Sequence, residues 1–199
     1  MKLEMTFRDE VTLIREEHLQ KLIVACNVLV PEYFWTCPAS TSEKYHPRIS
    51  LGKGGLIRHV KLAVWWGIEI QRCWPETYDG LLDEIICALI LHDLQKNGES
   101  LDSRGYPTLS NSTKVHGVVL ANKITKLIEE PSKSIERVIA AIGGHMGIWT
   151  AEDYNSYKPD NQNDSKTRTL CYIVHLADYC ASRKCDAEAT RLATLEFNA

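Results

Sequence analysis

The chain has 199 residues, 44% of them hydrophobic, with 23 Lys and Arg against 26 Asp and Glu for a net charge of −3. That is room for one domain with a substantial core, taken as 1–199, and it excludes wholesale disorder. The acidic balance excludes bulk electrostatic binding to duplex nucleic acid or to an anionic membrane, since either needs a cationic excess.

Uncharged stretches run to about ten residues, as from Leu22 to Pro31, against the ~20 that a bilayer span needs. Charges at Lys2, Glu4, Arg8, Asp9 and Glu10 leave no apolar export segment. The seven cysteines form no Cys-x-x-Cys pair. They are read as reduced thiols, and the expected location is cytoplasmic.

Apolar residues recur at intervals of three and four, with almost no period-two alternation. An all-α fold is therefore expected, a single helical domain with a long loop after its first helix. The first helix is predicted over 9–30, with Ile14, Leu19, Leu22, Ile23 and Cys26 on one side. A loop rich in Pro, Ser and Gly fills 31–57, a length typical of functional loops. The second helix is predicted over 57–74. Asp79-Gly80 is read as the cap of a third, which runs through Leu81, Ile85 and Leu89 to His92-Asp93. A polar loop with Gly98, Gly105 and Pro107 leads to a fourth helix, 113–129. Pro131 opens a fifth, ending near Gly143-Gly144. A polar stretch, 150–166, precedes the last long helix, 167–184, and the tail after Asp186 has weak apolar periodicity.

Six polar residues continue these apolar stripes. His59 is in line with Ala63, Trp66 and Ile70; His92 continues Leu81, Ile85 and Ala88; Asp93 continues Leu82, Ile86 and Leu89. His116 shares a face with Val119 and Leu120, His145 follows Val138 and Ile142, and Asp178 stacks on Cys171 and Val174. Helical spacing turns all six inward. Singly, each has an ordinary explanation as a hydrogen-bonded core residue. Jointly, two desolvated carboxylates and four imidazoles meet at one point only around a cation. One or two divalent ions are expected, with N and O ligands that suit Mn, Fe, Co, Ni or Mg.

The order His59, His92-Asp93, His116, His145, Asp178 resembles the HD superfamily of metal-dependent phosphohydrolases. Gly54-Gly55-Leu56-Ile57-Arg58-His59 looks like that family's "GGL-x-x-H", Leu91-His92-Asp93-Leu94-Gln95-Lys96 its "LHD-x-x-K", and His175-Leu176-Ala177-Asp178 its "H-x-A-D". Pro38-Ala39-Ser40 and Tyr45-His46-Pro47 are similar to the lead-in of HD domains in YhaM-type 3′–5′ exoribonucleases. The resemblance covers about 33–182. Lys96-Asn97 stands where the (p)ppGpp hydrolase branch carries Glu-Asp. Gly144-His145 replaces the adjacent histidines of many exoribonuclease relatives. No segment remains for an oligonucleotide-binding barrel, so processive digestion of long RNA is not expected.

The chemistry implied is hydrolysis at phosphorus by a metal-activated water. Asp93 is the candidate for bridging ions or orienting that water. Lys96, three residues on, is the candidate for neutralising phosphate charge. The loop before the first ligand is locally basic, with Lys44, Arg48, Lys53, Arg58 and Lys61 against Glu43. Lys44, Lys53, Arg58 and His46 are its substrate-binding candidates, His46 because relatives place a histidine there. His175 is expected to orient the site rather than ligate. Trp35 and Trp149 are candidates for stacking on a base. Three substrates stay open: a diester in a short or cyclic oligonucleotide, a (deoxy)nucleoside phosphate, or a dinucleoside polyphosphate. So does a non-catalytic module that senses a nucleotide. The oligomeric state is not legible.

Overall fold

The computed structural model describes residues 1–40, 45–75, 80–103, 108–109 and 112–183. Those residues are all-α, with no β-strand among them. The helices are α1 (Leu3–Thr6), α2 (Arg8–Thr12), α3 (Glu17–Ala25), α4 (Gly55–Cys73), α5 (Leu82–Leu91), α6 (Ser112–Leu127), α7 (Lys133–Gly144) and α8 (Ser165–Ala181), with short 3-10 turns between α3 and α4 and between α7 and α8. None of them is long and apolar enough to cross a membrane.

α5 is buried on every side, from Glu84 through Leu91. A helix apolar all round belongs at the centre of a bundle, and here α3, α4, α7 and α8 pack around it. α4 lies along both α5 and α8, and α7 bridges α6 and α8. One continuous core joins Leu22, Phe34, Leu56, Ile85, Leu89, Val138 and Val174.

The helix starts are explained locally. Gly54, at φ +71°, occupies the left-handed conformation from which α4 begins, a geometry that glycine adopts without a Cβ penalty. Ser132 caps α7 by accepting from Ile135 N–H, so that helix opens two residues after Pro131. Asp164 caps α8 by accepting from Thr167 N–H at 2.8 Å.

One prediction fails. The helix expected over 9–30 is broken between α2 and α3. The backbone N–H groups of Arg15 and Glu16 donate to one Asp83 carboxylate oxygen, at 2.6 and 2.8 Å. That partner, nearly seventy residues away, turns the chain and restarts it as α3. The long loop is also partly ordered by its own backbone. Gly54 N–H donates to Thr36, Leu56 N–H to Cys37, and Ala39 N–H to Ser50, tying 36–39 to 50–56. Asp79, Gly105, Pro107 and the tail after Asp186 lie outside the described residues.

Candidate metal centre

All six predicted ligands come together. His59 lies within α4, His116 within α6 and Asp178 within α8. His92 and His145 are the C-terminal caps of α5 and α7, and Asp93 follows directly. Two helices therefore end at the site, and the partial negative charge of a helix C-terminus favours a cation there. His59, His92, Asp93, His116 and His145 are buried, Asp178 partly so.

The ligating atoms fall into two groups that share Asp93. One holds His59, His92, Asp93 and Asp178; the other holds Asp93, His116 and His145; within each the atoms lie within 4.8 Å of one another. Asp93 Oδ2 faces His59 Nε2 at 3.4 Å and His92 Nε2 at 3.5 Å. Its Oδ1 faces His116 Nε2 at 3.0 Å and His145 Nε2 at 3.8 Å. Asp178 Oδ1 lies 3.0 Å from His59 Nε2 and 3.6 Å from His92 Nε2. The aspartate of the His92-Asp93 pair is thus, among the described residues, the one shared by both groups.

The backbone fixes which ring nitrogen faces inward. The Nδ1 atoms of His92, His116 and His145 lie 2.7, 2.6 and 2.7 Å from the carbonyls of Leu89, Ser112 and Ile142. A carbonyl only accepts, so each Nδ1 carries the hydrogen and each Nε2 turns a lone pair to the centre. The Nε2 atoms of His116 and His145 then face each other at 2.9 Å. Two lone pairs at that distance repel unless a cation lies between them. His92 Nε2 is buried without a hydrogen-bond partner among the described residues. The donor set therefore fits divalent ions that take N and O ligands.

Electrostatics favour a cation as well. Burial acts to raise the pKa of Asp93, but the charges of Lys96 and His92 and the close His116 and His59 rings outweigh it and hold the carboxyl well below its usual range. At Asp178 burial is likewise overcome by the neighbouring His59 and His92 rings. Burial, then the charges of His116 and His92, pushes His145 down to about 3 and keeps it neutral. Burial alone would lower His92, yet Asp93 and Asp178 outweigh it and raise it.

A pocket of about 650 Å³ opens over this floor, lined by Asp93, His116, His145 and Asp178 among others. Lys96 lines it too, its Nζ 2.6 Å from Asp93 Oδ2. Burial acts against its charge, but Asp93 and Asp178 raise its pKa and keep it cationic. His46 also lines the pocket, edge-on to His59 with ring centroids 5.3 Å apart. Its Nε2 is buried without a hydrogen-bond partner among the described residues. Burial first, then the charges of His59 and Lys96, holds that imidazole at about 3, so it is neutral at pH 7.

The other basic candidates are placed differently. Arg58 does not line the pocket: its Nη2 donates to the Leu51 carbonyl at 2.9 Å and its Nε to that of Ile49. The side chain binds the loop's own backbone. Lys53 is exposed and likewise outside the lining. Lys44 lies outside the described residues. Trp35 packs against the core, edge-on to Phe34, whereas Trp149 does line the pocket. His175 holds the site indirectly, its Nδ1 donating to the His145 carbonyl at 2.6 Å.

Two features near His145 were not legible. Gly117 lets α6 approach closely; a Cβ there would lie 2.6 Å from the Ile142 carbonyl and 2.7 Å from the His145 ring. At Gly144, a Cβ would collide with the Tyr157 carbonyl, so α7 ends in close backbone contact with that segment. Tyr179 and Arg183, which no motif marks, also line the pocket, beside Tyr45 of the Tyr45-His46-Pro47 segment. Their one signal is spacing, since Tyr179 adjoins Asp178 and Arg183 lies four residues on.

Comparison of the chain with protein-family models, with curated proteins and with solved structures finds no match.

Proposed function

We propose that this chain is a metal-dependent phosphohydrolase of the HD kind its motifs resemble, cleaving a phosphate ester in a nucleotide or short oligonucleotide. The observation that carries this reading is the arrangement about Asp93. Two carboxylates, inward Nε2 lone pairs and a lysine meet at the floor of a pocket large enough for a nucleotide. His59, His92, Asp93 and Asp178 would hold one divalent ion, and Asp93, His116 and His145 a second. A bound ion supplies a water of lowered pKa and polarises a phosphoryl oxygen.

The chain's own residues do the rest. Lys96 Nζ stands beside Asp93 and on the pocket wall, where it neutralises charge that develops on the phosphoryl oxygens. Asp93, kept ionised, accepts a hydrogen bond from the attacking water and orients it toward phosphorus. His46, neutral and with an unpartnered ring nitrogen among the described residues, offers a hydrogen bond to substrate without repelling a cation. The carbonyls behind His92, His116 and His145 prevent ring rotation, so the site is organised before substrate arrives.

The test is metal analysis followed by turnover. Protein loaded with Mn²⁺ is expected to hydrolyse bis-p-nitrophenyl phosphate and at least one of a panel of nucleotides, cyclic nucleotides and short single strands. Asp93→Ala is expected to abolish that activity with the far-UV circular dichroism nearly unchanged, and Lys96→Ala to lower it with metal retained. A metal-saturated wild-type protein that turns over nothing in the panel overturns the reading. Loss of helicity in Asp93→Ala would assign the cluster to the core instead.

A further inference from the structure

The pocket has a second wall whose chemistry is unlike the first. Trp149 and Tyr179 both line it, their rings stacked with planes 6° apart and centroids at 5.8 Å. Trp149 is 42% and Tyr179 37% exposed. Beyond them the Arg183 guanidinium lies 4.1 Å from the Tyr179 ring centre and 5.4 Å from that of Tyr45. Tyr45, Arg183, Tyr179 and Trp149 thus form a row of flat π surfaces along one side of the cavity.

Leaving two large aromatic rings this exposed forgoes the favourable burial that aromatic side chains ordinarily contribute. A parallel pair aligned with a stacked guanidinium is suited to a flat π-ligand, because ring faces and guanidinium planes stack on bases of any sequence. The wall is also held at a fixed distance from the floor. Tyr179 follows Asp178 on α8, and the His175 ring that fixes the His145 carbonyl lies 5.6 Å from Trp149. Asn97, Ser112 and Thr113 line the same cavity and offer neutral hydrogen-bonding groups, as a ribose requires.

We infer that this wall is a nucleobase site, and that the ligand of the pocket is a nucleoside phosphate whose base stacks on Trp149 and Tyr179 while its phosphate lies over the Asp93 floor. The phosphate half of this inference rests on the phosphohydrolase reading; the base half does not. Stacking of this kind changes affinity by about tenfold to a hundredfold when an aromatic ring is removed.

Calorimetry in EDTA, where metal-dependent turnover is suppressed, tests the two halves separately. AMP, GMP, CMP and UMP are compared with ribose 5-phosphate, which lacks the base, and with adenosine, which lacks the phosphate. At least one nucleotide is expected to bind about tenfold or more tightly than ribose 5-phosphate. Trp149→Leu and Tyr179→Leu should each remove about tenfold of the nucleotide affinity and leave ribose 5-phosphate unaffected. Tyr179→Phe, which keeps the ring, should restore it. Nucleotides that bind no better than ribose 5-phosphate overturn the base site, as does a uniform loss for all ligands in folded Leu variants. Base-dependent binding without Mn²⁺-dependent turnover would leave the base site standing and remove the hydrolase. Turnover of bis-p-nitrophenyl phosphate with no affinity gained from a base over ribose 5-phosphate would do the reverse.

Discussion

Buried carboxylates sit near both ends of α5, and they are treated in opposite ways. Near the N-terminus, Glu84 is 1% exposed and accepts two converging hydrogen bonds from Arg137 of α7, with Nε at 2.9 Å from Oε2 and Nη2 on Oε1. Each charge has one partner, and the guanidinium fork satisfies both carboxylate oxygens. Just past the C-terminus, Asp93 is as deeply buried but faces four imidazoles and a lysine, while a second carboxylate, Asp178, stands close by. Lys96 is the one Lys or Arg paired with these two acids among the described residues. The first arrangement is matched within the protein, whereas in the second two acids share one lysine. Burial of charge therefore does not by itself mark a site; an unmatched balance of charge does.

The largest stability effect expected is at the complete pair. Arg137→Met strands the Glu84 carboxylate and should cost about 3–5 kcal/mol in denaturant unfolding, with the metal stoichiometry unchanged. Adding Glu84→Leu should restore most of that loss. A metal content that falls with Arg137→Met would show that the two ends are not independent.

A smaller effect follows from acid and metal at the open end. His145 and His46 titrate at about 3 in the folded chain against 6.5 ordinarily. Between those values the unfolded chain binds more protons, so their contribution is complete above 6.5 and is lost progressively as pH falls toward 3. Asp93 and Asp178, held below their usual range, add a loss of the same sign at lower pH. His92, raised, acts oppositely, and its contribution declines as pH rises through its folded value. The melting temperature of EDTA-treated protein should accordingly be lower at pH 5 than at pH 7.5. Mn²⁺ at a hundred times its Kd should add about 2.7 kcal/mol. At a fixed Mn²⁺ concentration the gain should be smaller at pH 5, where His92 must first shed a proton. Equal melting temperatures at both pH values would contradict the charge balance assigned to the open end.

The smallest effect sharpens the comparison at one atom. Gly117→Ala places a Cβ against the His145 ring and the Ile142 carbonyl that fixes it. Mn²⁺ affinity should fall about tenfold, the range for disturbing a ligand's support. A titration by calorimetry that matches the wild type would show that α6 and His145 can separate at no cost.

What was legible in the chain follows from the range of the interactions. The six candidate ligands continue helical stripes, so a period of 3.6 residues was enough to turn them toward one centre. α4, α6, α7 and α8 start and end within three residues of their expected bounds. Arg58 shows the limit: its charge is visible in the sequence, but not that two carbonyls of its own loop claim its guanidinium. The same holds for Tyr179 and Arg183, which carry no motif and acquire meaning from Trp149 and Tyr45, distant in sequence. The break in the first helix is the clearest case, because Asp83 competes with local helix formation from 67 and 68 residues away.

That carboxylate also has a consequence for the order of folding. α2 and α3 have five and nine residues, too few to persist alone in water. What fixes the turn between them is an acid at the start of the central helix, and α3 packs on that helix. On the ribosome the amino-terminal helices are therefore made before the partner that stabilises them. They settle only after α5 has emerged, so the part of this domain synthesised earlier is completed later.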